Sequence, residues 1–485
     1  MQQNKVGEPK SFKLFGHFSF IILISSAALV ADSFSDFKQS QQTSFTNYKS
    51  EADKEFSGYL KADWEQYKAK MSRTLYEKPK PQKIDIVSEK KAPSIGPKVY
   101  LKIPKTLPKM EKPKKILEQK VIQKNTVFDF YGAKLGFNVA ASLKEIRFYP
   151  YNQEGIANYF DAISSNKYES LLEEVRRYKK DLLLNDWGVY KLVEYCAKTI
   201  YNNNDEAKLF TWFMLNKLGY DVKVGLNGKN IILMHYSKKI IYNTPVYTFN
   251  KMKYYVVSHY AKGRVGSVYT YAQNYPSANK GLDLSLDTLP LLPMKKTLKV
   301  LSFTQYGTSY TTKFEYNQNL IDFMATYPQA EYDVFFNAPV EAQVYNAIAK
   351  DLKKYIDGKH ASDAMNFVLN FVQKAFKYQV DDLQFGREKV MFAEETLVYD
   401  KSDCEDRAIL FSYLVKKLFH VGAVGVKYKD HMSTALYIPI EGDSVKVANR
   451  RFVIADPTYI NANIGQNMPQ YRKIYPERFI LVKGK

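Results

Sequence analysis

The sequence predicts an α+β chain of several domains. Its 485 residues correspond to two to four domains at roughly 150 residues each. Hydrophobic types at 45% and charged types at 25% are ordinary globular composition, enough for packed cores. Helical periods (156–219, 338–378, 402–419) and short alternating runs (126–150, 222–240, 251–271, 298–316) share the same stretches of chain.

Composition excludes several classes. Two cysteines exclude a disulfide-stapled scaffold and any four-cysteine metal site. The six histidines form no HxH or HExxH pair, so neither a metal nor another cofactor is expected. The formal charge of +21 invites a nucleic-acid reading until its position is examined.

Taken in order, residues 1–17 are polar and mildly basic, 18–31 are uncharged, and Asp32 opens a polar segment. This reads as a signal peptide cut after Ala28 or near Ala31, with a retained anchor as the alternative. Either implies an exported, periplasmic or envelope protein. Fourteen residues rise only about 21 Å as a helix, short for a membrane core of roughly 30 Å.

Residues 32–77 follow as an amphipathic aromatic segment. Phe45, Tyr48, Phe56, Tyr59, Trp64, Tyr67 and Met71 recur mostly three or four apart, which predicts a helix over 34–76. Its aromatic face either packs on later domains or docks a partner or membrane surface. Residues 78–120 hold 13 lysines, four acids and seven prolines, a net charge of 13 − 4 = +9. Proline and like charge predict an extended basic tether over 78–124. Lysine without interleaved aromatics argues against nucleic acid and fits an anionic envelope surface or a solvated spacer.

An α/β domain is expected over 125–290 and a second over 291–485. One comparison links them: NDEAKLFTWFMLNKL at 204–218 and CEDRAILFSYLVKKL at 404–418 share Lys-Leu at their ends and acids at their starts. Asn204 falls where Cys404 stands. The two are either copies, the first lacking the thiol, or independent capped amphipathic helices.

Chemistry concentrates in the second segment. Ser402 and Glu405 fit a capping box, which places Cys404 at a helix start, where the dipole favours a thiolate. A strand-like run leads to a turn and to His431, which opens HMSTALYIPI. ANRRFVIADPTY then ends a further strand at Asp456. If these strands pair, His431 can take the thiol proton while Asp456 orients its ring. Singly, each residue has a plainer explanation: a cap cysteine, a hydrogen-bonded histidine, an Asp-Pro turn. Order and spacing together raise the catalytic reading. Cys196, in mixed helical surroundings, reads as filler; a disulfide with Cys404 is neither excluded nor suggested.

The run Ser402-Asp403-Cys404-Glu405-Asp406-Arg407-Ala408, then His431, then Asp456-Pro457-Thr458, resembles the core of the transglutaminase-like superfamily over about 350–460. The stretch FGREKVMFAEETLVY at 385–399 resembles the lead-in of its bacterial exported members. The resemblance implies a papain-like core with the triad Cys404, His431 and Asp456. Ser402 stands where many members carry glycine, and Ser433 where many carry an aromatic. Gln384 and the backbone N–H of Cys404 are the oxyanion candidates. The function expected is acyl transfer on amide bonds of proteins or peptidoglycan-like material. The alternative is an inactive transglutaminase-like scaffold or adaptor that engages partners through 34–120.

Overall fold

Helices and strands interleave along the chain, so the protein is α+β. The computed structural model describes residues 51–62, 64–103, 123–257 and 266–483. Two units divide at residue 55. Of the first, 51–55 are described and helical; the second begins with residues 56–61, also helical. The leader (18–31), the start of the aromatic segment and tether residues 104–122 lie outside the described residues. No described helix is long and apolar enough to cross a membrane.

The long helix expected over 34–76 is corrected for its second half. After residue 61 the chain extends into strands Glu65–Lys68 and Lys70–Met71. Glu65–Lys68 pairs antiparallel with Ser267–Thr270, and Lys70–Met71 pairs with Pro245–Phe249. These partners are the opposite ends of one sheet. A single run of chain therefore closes that sheet on itself, and Tyr67 and Ala69 pack on the enclosed Met234, Phe249 and Val268. Aromatic spacing at 64, 67 and 71 fits a helix turn, but pairing at both edges satisfies the backbone groups and wins.

The middle sheet is preceded by hairpin Thr126–Phe130/Ala133–Phe137 and a helical layer ending in Asp186–Ile200 and Asn204–Lys217. Asn203 caps the last helix by accepting from Asp205 N and Glu206 N at 2.8 and 3.2 Å. The C-terminal half repeats the sequence of elements. Hairpin Lys296–Gln305/Thr308–Asn317 comes first, then helices that include Ala342–Ile356, Ala361–Lys374 and Cys404–Phe419. Gly358, at φ +80°, marks the break between the first two.

Both halves then build five antiparallel strands with one topology. In chain order the C-terminal strands are Ala423–Lys427, Met432–Leu436, Ser444–Val447, Arg450–Ile454 and Arg478–Leu481. Numbered one to five, they lie in space as 3-4-2-1-5. The middle strands Val222–Asn227, Asn230–Tyr236, Pro245–Phe249, Met252–Tyr255 and Ser267–Thr270 lie in the same order.

The described part of the tether, residues 78–103, carries no helix and lies against the C-terminal half. Val87 N donates to Ile460 O at 3.1 Å, Val99 N donates to Lys359 O at 2.9 Å, and Val99 O accepts from Gly358 N at 2.9 Å beside the helix break. Leu101 is buried. Prolines interrupt regular structure here, and several of the remaining backbone donors, at Lys78, Val87, Ile95, Val99 and Leu101, pair across to the domain.

Candidate active site

Helix Cys404–Phe419 starts one residue later than the Ser402/Glu405 box predicts. Asp403 is the N-cap, and Asp406 accepts the Asp403 N–H at 3.2 Å and Met391 N at 2.8 Å. Ser402 instead sits in a two-residue strand beside Tyr378, and its hydroxyl accepts from Arg407 Nε at 3.1 Å. Arg407 is fully buried; its other nitrogens donate to Gln373 O at 3.2 Å and Phe376 O at 2.8 Å. This guanidinium ties the helix start to the C-terminal end of helix Ala361–Lys374. Cys404 thus occupies the first helical position, where its backbone N–H has no intrahelical partner.

The helix packs against the five-stranded sheet, which brings His431 and Asp456 together. Strand Met432–Leu436 pairs with Arg450–Ile454, with Ala435 opposite Ile454. His431 immediately precedes the first strand and Asp456 follows the second by two residues. His431 Nε2 lies 2.8 Å from Asp456 Oδ2, both side chains essentially inaccessible. Asp456 Oδ1 accepts Thr458 N at 2.9 Å, which fixes the carboxylate. The imidazole stacks on Tyr471 at 4.9 Å, a contact the sequence did not reveal. With Nε2 engaged, Nδ1 is the ring nitrogen available to a thiol proton.

The sulfur has other partners. Cys404 Sγ donates to Glu405 Oε2 at 3.1 Å and lies 3.6 Å from the Tyr76 hydroxyl. Among the described residues no hydrogen bond joins Cys404 to His431. Tyr76 OH also donates to Glu405 Oε2 at 2.8 Å. The Lys80 ammonium, from the same segment, reaches Asp381 at 3.1 Å, Glu388 at 2.7 Å and Glu405 Oε1 at 2.9 Å, and also contacts Asp403.

This surrounding reverses the expected lowering of the thiol pKa. Burial first, then the Glu405 and Asp403 carboxylates, hold Cys404 well above its ordinary value, although Lys80 and the Tyr76 hydroxyl oppose them. The helix dipole, about half a unit charge, is outweighed by burial together with the adjacent Glu405 anion. Glu405 stays ionised: burial alone would raise it, but Lys80 brings it down to about 2. Glu388 is pushed up to about 7 and Asp381 to about 6, each by burial first.

The Gln384 amide nitrogen donates to Lys401 O at 3.4 Å, and among the described residues no hydrogen bond joins Gln384 to Cys404. Cys196 and Cys404 are both free thiols. Cys196 is buried mid-helix, and burial pushes its thiol up to about 12. Three groups of acids around Cys404, Asp403 and Asp381 have cation-ligating geometry, but the Lys80 ammonium already compensates that charge.

In the middle half, Asn204 holds the first helical position. Gly225 pairs with Ile232 as Gly425 pairs with Thr434. Counting three residues back from each partner (434 − 3 = 431, 232 − 3 = 229) puts Lys229 where His431 stands. Neither a thiol nor an imidazole occupies these positions. No family model, curated protein or solved structure matches the chain.

Proposed function

We propose that the chain is a cysteine acyl-transfer enzyme acting on amide bonds. The reading is carried by the buried 2.8 Å His431–Asp456 pair, set on strands that pack beneath the helix bearing Cys404. His431 Nδ1 takes the thiol proton, and the sulfur adds to the amide carbonyl carbon. The C–N bond breaks, the amine leaves with the proton from His431, and a thioester remains. Water or a second amine then takes the acyl group. Proteins or peptidoglycan-like amides of the cell envelope are the proposed substrates, in keeping with the transglutaminase-like resemblance and a papain-like core. An exported location rests on residues 18–31. The shared 3-4-2-1-5 strand order supports reading the middle domain as a second copy that has lost the reacting groups.

One observation favours the alternative, an inactive scaffold: the thiol is bonded to Glu405 and Tyr76 rather than to His431. Mass spectrometry after exposure to glutamine-containing peptides decides between them, using the intact chain and Lys80→Gln, which loosens the segment over the sulfur. An acyl adduct on Cys404 that disappears in His431→Ala and weakens in Asp456→Asn supports the enzyme. Two folded proteins that form no adduct and release no ammonia or amine leave the scaffold.

A further inference from the structure

The segment over the nucleophile is built as an insert. From Leu75, which is buried, it passes Tyr76 at the sulfur and reaches Lys80, which is also buried, while Glu77, Lys78 and Pro79 between them face solvent. Tyr76 lies under two ammonium groups, with Lys427 Nζ 4.2 Å and Lys80 Nζ 5.1 Å from its ring centre. Glu77 N and Lys78 N both donate to Lys429 O, at 3.0 and 3.1 Å, and Tyr378 OH donates to Pro81 O at 2.7 Å. Few backbone bonds hold the insert; the chemistry is in its two buried side chains.

Lys80 is the only cation the described residues place among Asp381, Glu388, Asp403 and Glu405. Four carboxyl groups converge on this one ammonium, and Asp403 Oδ1, fully buried, has no hydrogen-bond partner. A buried acidic cluster without its cation is strongly unfavourable. It is also a matching receptor for another ammonium, and two of its members flank the nucleophile directly in sequence.

We propose that this four-carboxylate cluster is a recognition subsite for a primary ammonium group on the substrate, and that Lys80 fills it as an intramolecular competitor. The proposal rests on Cys404 being the reacting group, and it narrows the substrate to one bearing a lysine-type side chain near the reacting carbonyl or amine. With Lys80 seated, Tyr76 covers the sulfur and the chain is latent. With Lys80 out, the subsite and the sulfur open together.

The test measures access and binding, not turnover, so it stands apart from the acyl-transfer reading. Alkylation of Cys404 by iodoacetamide is followed in the full chain, in Lys80→Gln and in Lys80→Arg. Lys80→Gln is expected to react at least about tenfold faster, because the closed population falls, while Lys80→Arg stays near the parent. In Lys80→Gln, Nα-acetyl-lysine methylamide is expected to slow alkylation saturably, and the neutral glutamine analogue is not. Faster alkylation without that protection overturns the subsite.

Should Lys80→Gln fail to fold, the parent sequence is cut with trypsin. Arg73 and Lys83 are exposed, whereas Lys78 precedes Pro79, so residues 74–83 are released. A chain that has lost 74–83, keeps its fold and still shields Cys404 overturns the insert as competitor. A freed Cys404 that the lysine derivative protects supports both halves of the proposal.

Discussion

Cys404 gives its thiol hydrogen to the carboxylate of its own neighbour, Glu405, at 3.1 Å. Glu405 uses its other oxygen for Lys80 at 2.9 Å, so one side chain connects the covering segment to the Cys404 thiol. A thiolate beside that anion is disfavoured, and the charge on Glu405 is the adjustable quantity.

Replacing Glu405 by Gln keeps a hydrogen-bonding side chain and removes the charge. The alkylation profile of Cys404 is then expected to move to lower pH by roughly one unit or more. The comparison is made on chains cut at residues 73 and 83, so that access is equal. An unmoved profile would show that desolvation alone sets this thiol.

The acidic cluster also writes a pH dependence into stability. Glu388 is raised to about 7 and Asp381 to about 6 in the folded chain, above ordinary carboxylates near 4. Between about pH 7 and 4 the folded state therefore holds protons that the unfolded state has lost, and these two groups add stability as pH falls. Glu405, depressed to about 2, acts oppositely: its contribution is complete above the unfolded value and is lost as pH falls toward 2. In Glu388→Gln, melting temperature should gain less than the parent's between pH 8 and 5. Parallel curves for the two proteins would refute the raised carboxyl.

Arg407 is a third point of leverage. Replacing it with Met keeps much of the volume but strips a donor from Ser402 Oγ, Gln373 O and Phe376 O. A loss of about 3 kcal/mol is expected from leaving buried acceptors unpaired, read as a lower urea midpoint at unchanged slope. A loss under about 1 kcal/mol would mean that water replaces the guanidinium.

The placement of Cys404, His431 and Asp456 was legible because local signals mark each one: a helix start for Cys404, a strand start for His431 and a strand end for Asp456. The order of those elements did the rest. Tyr76 and Lys80 carried no such signal. They lie 328 and 325 residues from Cys404 and Glu405 respectively, and within a proline- and lysine-rich run their types look like composition. The same distance hid the reversal of the thiol pKa, since a cap favours the thiolate only while the flanking acids face water. The extended run over 65–71 was missed because Trp64, Tyr67 and Met71 recur at helical spacing, while its pairing partners lie far along the chain.

That strand has a mechanical consequence. Residues 65–71 zip the middle sheet shut immediately before the segment that covers Cys404 begins. Met71 is thus a fixed clasp and Lys80 a removable latch on the same thread. Lifting the latch need not open the clasp, because the exposed Arg73 lies between them. The ring also occupies both edges of the middle sheet, on which a foreign strand would otherwise add, so that sheet offers no template for strand addition when the thiol is unveiled.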